Sequence, residues 1–180
     1  MLTRLTDIHL KLANGKVILL LLSLFLLANF VLIPAVYPKF QTLDTLYSYT
    51  PEKARELISS YGEQGRQSYL LTEVTLDLVY PFITALLFCL LILYTFKRAF
   101  PNNRRIWNLS LSSYLVMLAD YLENACVVTM LLGYPREFTA IARISNFFTV
   151  TKFALSPLQL LFLVGLIGWG IRAIRTRWSH

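Results

Sequence analysis

The chain has 180 residues, of which 56% are hydrophobic and only 15% charged. A soluble domain carries about 25% charged residues, so the composition points to a membrane protein, with room for a single helical domain over residues 1–180. The net charge of +7 argues for no nucleic-acid partner, because the basic residues stand at the ends of apolar segments, as membrane topology requires.

The first apolar segment, VILLLLSLFLLANFVLIPAV from Val17 to Val36, is too long for the about 7–15-residue apolar region of a signal peptide and is read as a retained helix. The stretch 37–68 is then a loop. Within it Thr50 can cap a helix opened by Pro51, with Glu52 in its first turn and Gly62 just past its end. Ala54, Leu57, Ile58 and Tyr61 share one face of that short amphipathic helix. Three further spans follow at about 69–96, 106–132 and 145–171, the last extending toward Glu137. Each is long enough to cross a hydrocarbon core about 30 Å thick, and only helices satisfy every backbone group there. The expected fold is an all-α, four-transmembrane-helix bundle.

Lys and Arg set the expected orientation. Arg4, Lys11 and Lys16, then Lys97, Arg98, Arg104 and Arg105, then Arg172, Arg175 and Arg177 all fall on one side of a four-span chain. Asp7 is the acidic exception there. The positive-inside rule makes that side cytoplasmic, with both termini inside and the 37–68 loop outside. A bacterial inner membrane is the default location. Cys89 and Cys126 are expected toward opposite leaflets and read as structural thiols rather than a disulfide.

Polar residues recur at helical spacing on the last three spans. They are Glu73, Asp77, Tyr80 and Thr84 on the second; Ser113, Asp120 and Asn124, flanked by Glu123, on the third; Ser145, Thr149, Lys152, Ser156 and Gln159 on the fourth. Pro81 and Pro157 free the carbonyls of Asp77 and Phe153. The first span offers only Ser23 and Asn29 and reads as a packing wall. An intramembrane Asp or Lys costs about 2.5–3.5 kcal/mol on insertion scales, so such residues face a bundle interior and mark a site. Charge counting sharpens this: Glu73, Asp77, Asp120 and Glu123 outnumber Lys152, so one acid holds a proton or an external cation completes the cluster.

The expected site is a polar pocket in the outer half of the bilayer that binds a lipid or cationic amphiphile, and whether it also modifies that ligand by acid–base chemistry is left open by the sequence. Asp120, Glu123 and Asp77 are the candidate acids and bases. Lys152 is the counter-charge or head-group anchor, with Glu73, Tyr80, Asn124 and Thr149 completing the lining. His9 and His180 lie at the cytoplasmic ends, so no histidine-dependent nucleophile or iron or zinc centre can form. An all-oxygen Mg²⁺, Mn²⁺ or Ca²⁺ site is a minor alternative; no metal or cofactor is assigned. Gly165, Gly168 and Gly170 read as a close-packing stripe. Two other uses of the charges compete: a structural or assembly subunit, as a homo-oligomer or in a larger complex, whose Lys152–Asp120 pair holds helices together, and proton or cation transport. Transport ranks last, because no ionisable side chain continues the path below Asp120 and Thr84.

The segment TPEKARELISSYGEQGRQSYLLTEVTLDLVYP, followed by ADYLENA, resembles a set of uncharacterised small bacterial four-span proteins with a G-R-x-x-Y, L-D-x-x-Y-P, D-Y-x-E-N pattern. The resemblance covers the loop and the second and third spans and implies the fold alone. A looser, architectural likeness is to the four-helix sterol-isomerase and sigma-2-receptor group, whose internal carboxylates bind cationic amphiphiles. The quinone-linked disulfide enzymes do not match, for want of paired cysteines.

Overall fold

The computed structural model describes residues 2–178, and over these the chain is helical with no strand. His180 lies outside the described residues. Four helices are long and apolar enough to cross a membrane: Gly15–Val36, Gly62–Ala99, Arg104–Gly133 and Thr139–Arg177, whose most apolar 18-residue stretches have mean hydropathies of 2.7, 2.4, 1.6 and 1.8. They are the first to fourth long helices below. Two shorter helices accompany them, an amphipathic one at Leu2–Leu12 and the loop helix at Pro51–Ser60.

Local chemistry explains most of the boundaries. Asn14 caps the first long helix by accepting from the Val17 amide at 3.1 Å. A π turn at Ala28–Leu32 precedes Pro34, whose missing N–H breaks the regular ladder. Thr50 accepts from the Lys53 amide at 3.2 Å and opens the loop helix. Gly62, at φ 64°, takes the left-handed turn that sends the chain into the second long helix, which begins there rather than near Tyr69. The third long helix contains a 3-10 segment at Asn108–Ser112, and the fourth has one at Ser156–Leu160, around Pro157. The carbonyl of Phe153 receives the Ser156 hydroxyl at 2.9 Å.

The second and third long helices form the axis: 39% of the most apolar window of each is buried, against 11% in the first and 6% in the fourth. The exposed flanks are almost wholly apolar, including Leu19, Phe30, Leu78, Phe147 and Ile167, as expected of surfaces solvated by lipid. At one end of the bundle Arg104 pairs with Asp7, Arg172 donates to the Arg98 carbonyl at 3.3 Å, and Arg98 lies over the Tyr94 and Trp169 rings at 3.5 and 5.1 Å. This basic end therefore gathers the N-terminal helix, the turn after the second long helix and the C-terminal segment. At the opposite, loop end, Ala54, Leu57 and Ile58 pack with Leu43 and Tyr69 onto Val127, Met130, Leu131 and Ala142. The apolar face of the loop helix is thus spent on covering the bundle.

Helix approach at the basic end depends on Gly165 and, less tightly, on Gly168, whose added Cβ would lie 3.0 Å from the Ala99 Cβ. A Cβ on Gly165 would overlap the Thr95 side chain and come within 2.7 Å of the Phe96 ring, whereas Gly170 faces open space. Only part of the glycine stripe serves close packing. Cys89 and Cys126 are both free thiols.

Candidate functional site

The polar stripes of the third and fourth long helices meet in one ion cluster. Lys152 Nζ lies 2.9 Å from Asp120 Oδ1 and 2.6 Å from Glu123 Oε2. Asp120 and Glu123 are three residues apart on one helix, so a single ammonium on the facing helix reaches both. The two carboxylates differ in access: the Glu123 side chain is fully buried, while Asp120 and Lys152 are 20% and 17% exposed. Thr149 donates to Glu123 Oε1 at 2.7 Å. Ser145, one turn away, receives the Tyr49 hydroxyl at 2.7 Å, and the Asn146 side chain accepts from the Tyr49 amide at 2.7 Å. The loop before the loop helix is thereby tied to the fourth long helix.

Asn124 does not touch the ions. Its amide donates at 3.3 Å to the Asp77 carbonyl, the group that Pro81 leaves without its helical donor. The carbonyl that Pro81 frees in the second long helix is in this way satisfied by the third. Tyr80 makes its hydrogen bond to the first long helix. Its hydroxyl donates to Asn29 Oδ1 at 3.2 Å and its ring stacks on Phe25. A phenol in an apolar bundle must find an acceptor, and the first long helix supplies the nearest one. That helix therefore contributes one polar contact as well as packing. Thr84 and Ser113 keep buried hydroxyls without hydrogen-bond partners among the described residues.

A second acidic group lies on the loop side of the bundle. Asp44, on a short 3-10 turn of the loop, joins Glu73 and Asp77, and one carboxylate oxygen of each lies within 4.8 Å of the other two. Tyr69 donates to Asp44 Oδ1 at 2.6 Å, and Tyr37 donates to Asp44 Oδ2. Both oxygens of Glu73, and Oδ2 of Asp77, are buried without a hydrogen-bond partner among the described residues. None of these three acids is in an ion pair among the described residues. Asp44 escaped the sequence reading because a lone carboxylate in a polar loop reads as solvated. The adjacent Leu43, wholly buried, was the one signal that this loop turns inward.

The tyrosines around these groups are held neutral. Burial, then the neighbouring Asp44, pushes the Tyr37 hydroxyl far above its ordinary value. Burial likewise pushes Tyr49 up to about 12 and raises Tyr61. They are donors, not bases. A separate cavity of about 130 Å³ opens between the loop helix and the turn after the third long helix, lined by Arg55, Ile58, Met130, Tyr134, Glu137 and Ala142. It contains none of the clustered acids.

No protein-family model matches the chain, and no curated protein or solved structure does so either. The G-R-x-x-Y and D-Y-x-E-N likeness is thus one of sequence pattern, and the chemistry of the side chains is what speaks to function.

Proposed function

We propose that the chain is an integral membrane protein, basic end cytoplasmic and both termini inside, that binds the polar head of a lipid or amphiphile at the Asp120–Lys152 pair. The positive-inside rule supports the orientation, since the basic side chains at the N-terminal helix, the 97–105 turn and the C-terminal segment converge on one end. Counting about 20 residues per hydrocarbon core from Lys97 along the second long helix ends near Asp77, and from Arg172 back along the fourth ends near Lys152. Asp120 lies somewhat less far from Arg105 on the third long helix, so the ion cluster then sits in the outer part of the hydrocarbon, close to head-group depth.

The observation that carries the reading is the partial opening of this pair. Asp120 and Lys152 are 20% and 17% exposed on a bundle whose nearby surface carries exposed Leu118, Leu122 and Phe147. A ligand with a polar head and an apolar tail matches that surface. Asp120 is the acid within reach of it; Glu123, shut in behind Lys152, holds the ammonium in place. Protein purified gently into nanodiscs should carry a reproducible amphiphile by mass spectrometry, and Asp120→Asn should lose it while remaining folded. Equal ligand content in both proteins would overturn the reading.

A second reading has its own support. Lys152 already has two carboxylate partners, and Asn124 satisfies the carbonyl freed by Pro81, which is how polar groups fasten helices in a non-enzymatic structural subunit. Under that reading Asp120→Asn lowers stability and changes no ligand content.

A further inference from the structure

We propose that Asp44, Glu73 and Asp77 form a divalent-cation site, for an ion of the Ca²⁺, Mg²⁺ or Mn²⁺ class, that fastens the loop to the second long helix. The site is separate from the Asp120–Lys152 pair and does not depend on the head-group reading.

Three observations converge on it. The first is geometry. A hard cation binds oxygens at about 2.0–2.6 Å, so two ligand oxygens on opposite sides of one ion stand about 4–5 Å apart. The three carboxylates offer oxygens within 4.8 Å of one another. The second is the state of Glu73. Its residue is 3% exposed, and neither of its oxygens receives a well-formed hydrogen bond among the described residues, the neighbouring Tyr69 hydroxyl being directed to Asp44 instead. A proton shared between two of these acids would draw a pair of oxygens to hydrogen-bond distance; the Glu73 oxygens make no such contact. A buried carboxylate left unpaired is costly, and a cation between the three removes that cost. The third is the surrounding donor set. Tyr69 and Tyr37 both donate to Asp44, which fixes the orientation of the one ligand that comes from a loop, as outer hydrogen bonds do at metal sites. Lys152, the buried cation nearby, is already engaged by Asp120 and Glu123.

The donor set is all oxygen, with no histidine or cysteine, which selects hard ions over Zn²⁺ or Cu²⁺. Asp44 lies between the first two long helices in sequence and Glu73 and Asp77 on the second. An ion there would close the loop of residues 45–72 between its ligands.

The test uses the full chain in nanodiscs of neutral lipid, stripped with EDTA and titrated with Ca²⁺ and, separately, Mn²⁺, with K⁺ at matched ionic strength as control. The expected result is a saturable rise in Tm with the divalent ions only, and a Mn²⁺ paramagnetic resonance signal for one bound ion per chain. Glu73→Gln should weaken Mn²⁺ binding at least tenfold, and Glu63→Gln, an exposed acid at the start of the same helix, should leave it unchanged. Asp44→Asn serves as a second variant should Glu73→Gln fail to fold. A Tm that does not respond to the divalent ions, or Mn²⁺ binding of equal strength in the wild type and in a folded Glu73→Gln or Asp44→Asn protein, would overturn the proposal. So would displacement of Mn²⁺ by K⁺ at equal concentration.

Discussion

Two acidic groups lie close together in this bundle and are managed in opposite ways. Asp120 and Glu123 share Lys152, with Thr149 holding the far oxygen of Glu123. Asp44, Glu73 and Asp77 face one another with phenols around Asp44 and no ion-pair partner among the described residues. The first group carries its counter-charge within the chain. The second gathers negative charge without one. The difference teaches that acidity in a membrane bundle is not one property: the same residue types serve as a fastening where a lysine meets them and as a receptor for positive charge where none does.

That contrast can be broken most sharply at Lys152. Lys152→Met strands two carboxylates, one fully buried, and should cost about 3–5 kcal/mol, read as a large fall in thermal stability in nanodiscs. If the protein loses under 1 kcal/mol, the lysine is not the internal counter-charge. In the other group the sign reverses. Glu73→Gln replaces a buried, unpaired carboxyl group with a neutral amide of the same shape, so in EDTA it should leave stability unchanged or raise it by about 1–3 kcal/mol. Substantial destabilisation there would erase the distinction between the groups. Within the first group, Glu123 should couple to Lys152 more strongly than Asp120 does, because Glu123 is wholly buried and Asp120 is 20% exposed. Double-mutant cycles with Glu123→Gln and Asp120→Asn against Lys152→Met measure both couplings, and equal values would contradict the ranking. Asn124→Leu should cost about 1–2 kcal/mol by leaving the Asp77 carbonyl without its donor; a neutral result would mean that water or a shifted backbone takes the bond.

The smallest effect is one of pH. Burial raises the Tyr49 hydroxyl to about 12 in the folded chain, against about 10 when unfolded. The folded state therefore holds its proton more tightly. Stability from this group is fully present below about pH 10 and is lost as pH rises from about 10 toward 12. Tyr49→Phe should flatten that alkaline decline in a pH series of unfolding midpoints, at the cost of the hydroxyl bond to Ser145. A decline of the same steepness in both proteins would assign it to other groups.

Much of this was legible in the chain. Four apolar segments of spanning length are visible by inspection, and the spacing of Asp120 and Lys152 suffices to propose their pairing. What stayed hidden depends on side-chain reach and on where a loop folds back. The facing of Glu73 and Tyr80 differs, although seven residues place them on nearly the same helical face, because the phenol finds Asn29 on the first long helix. Asp44 joins the second acidic group only because Leu43 is buried and Tyr37 and Tyr69 draw its carboxylate inward, and no periodicity announces a contact of that kind. In the sequence the Leu2–Leu12 segment shows only its basic residues and Asp7, whereas in the fold Asp7 pairs with Arg104 across the basic end.

The short turn at 134–138 bears on how the protein is made. The acids of the third long helix precede their lysine in the chain by a single helical hairpin. A third helix entering the bilayer alone would carry two carboxylates without their counter-ion, at a cost that rises with depth toward about 2.5–3.5 kcal/mol for an Asp at a helix centre. We therefore predict that the third and fourth long helices insert together. A glycosylation-mapping assay comparing chains cut after Gly133 and after Trp178 checks this, and equal insertion of the third helix in both would refute it. The nascent chain meets its worst electrostatic moment and its remedy within one hairpin's length.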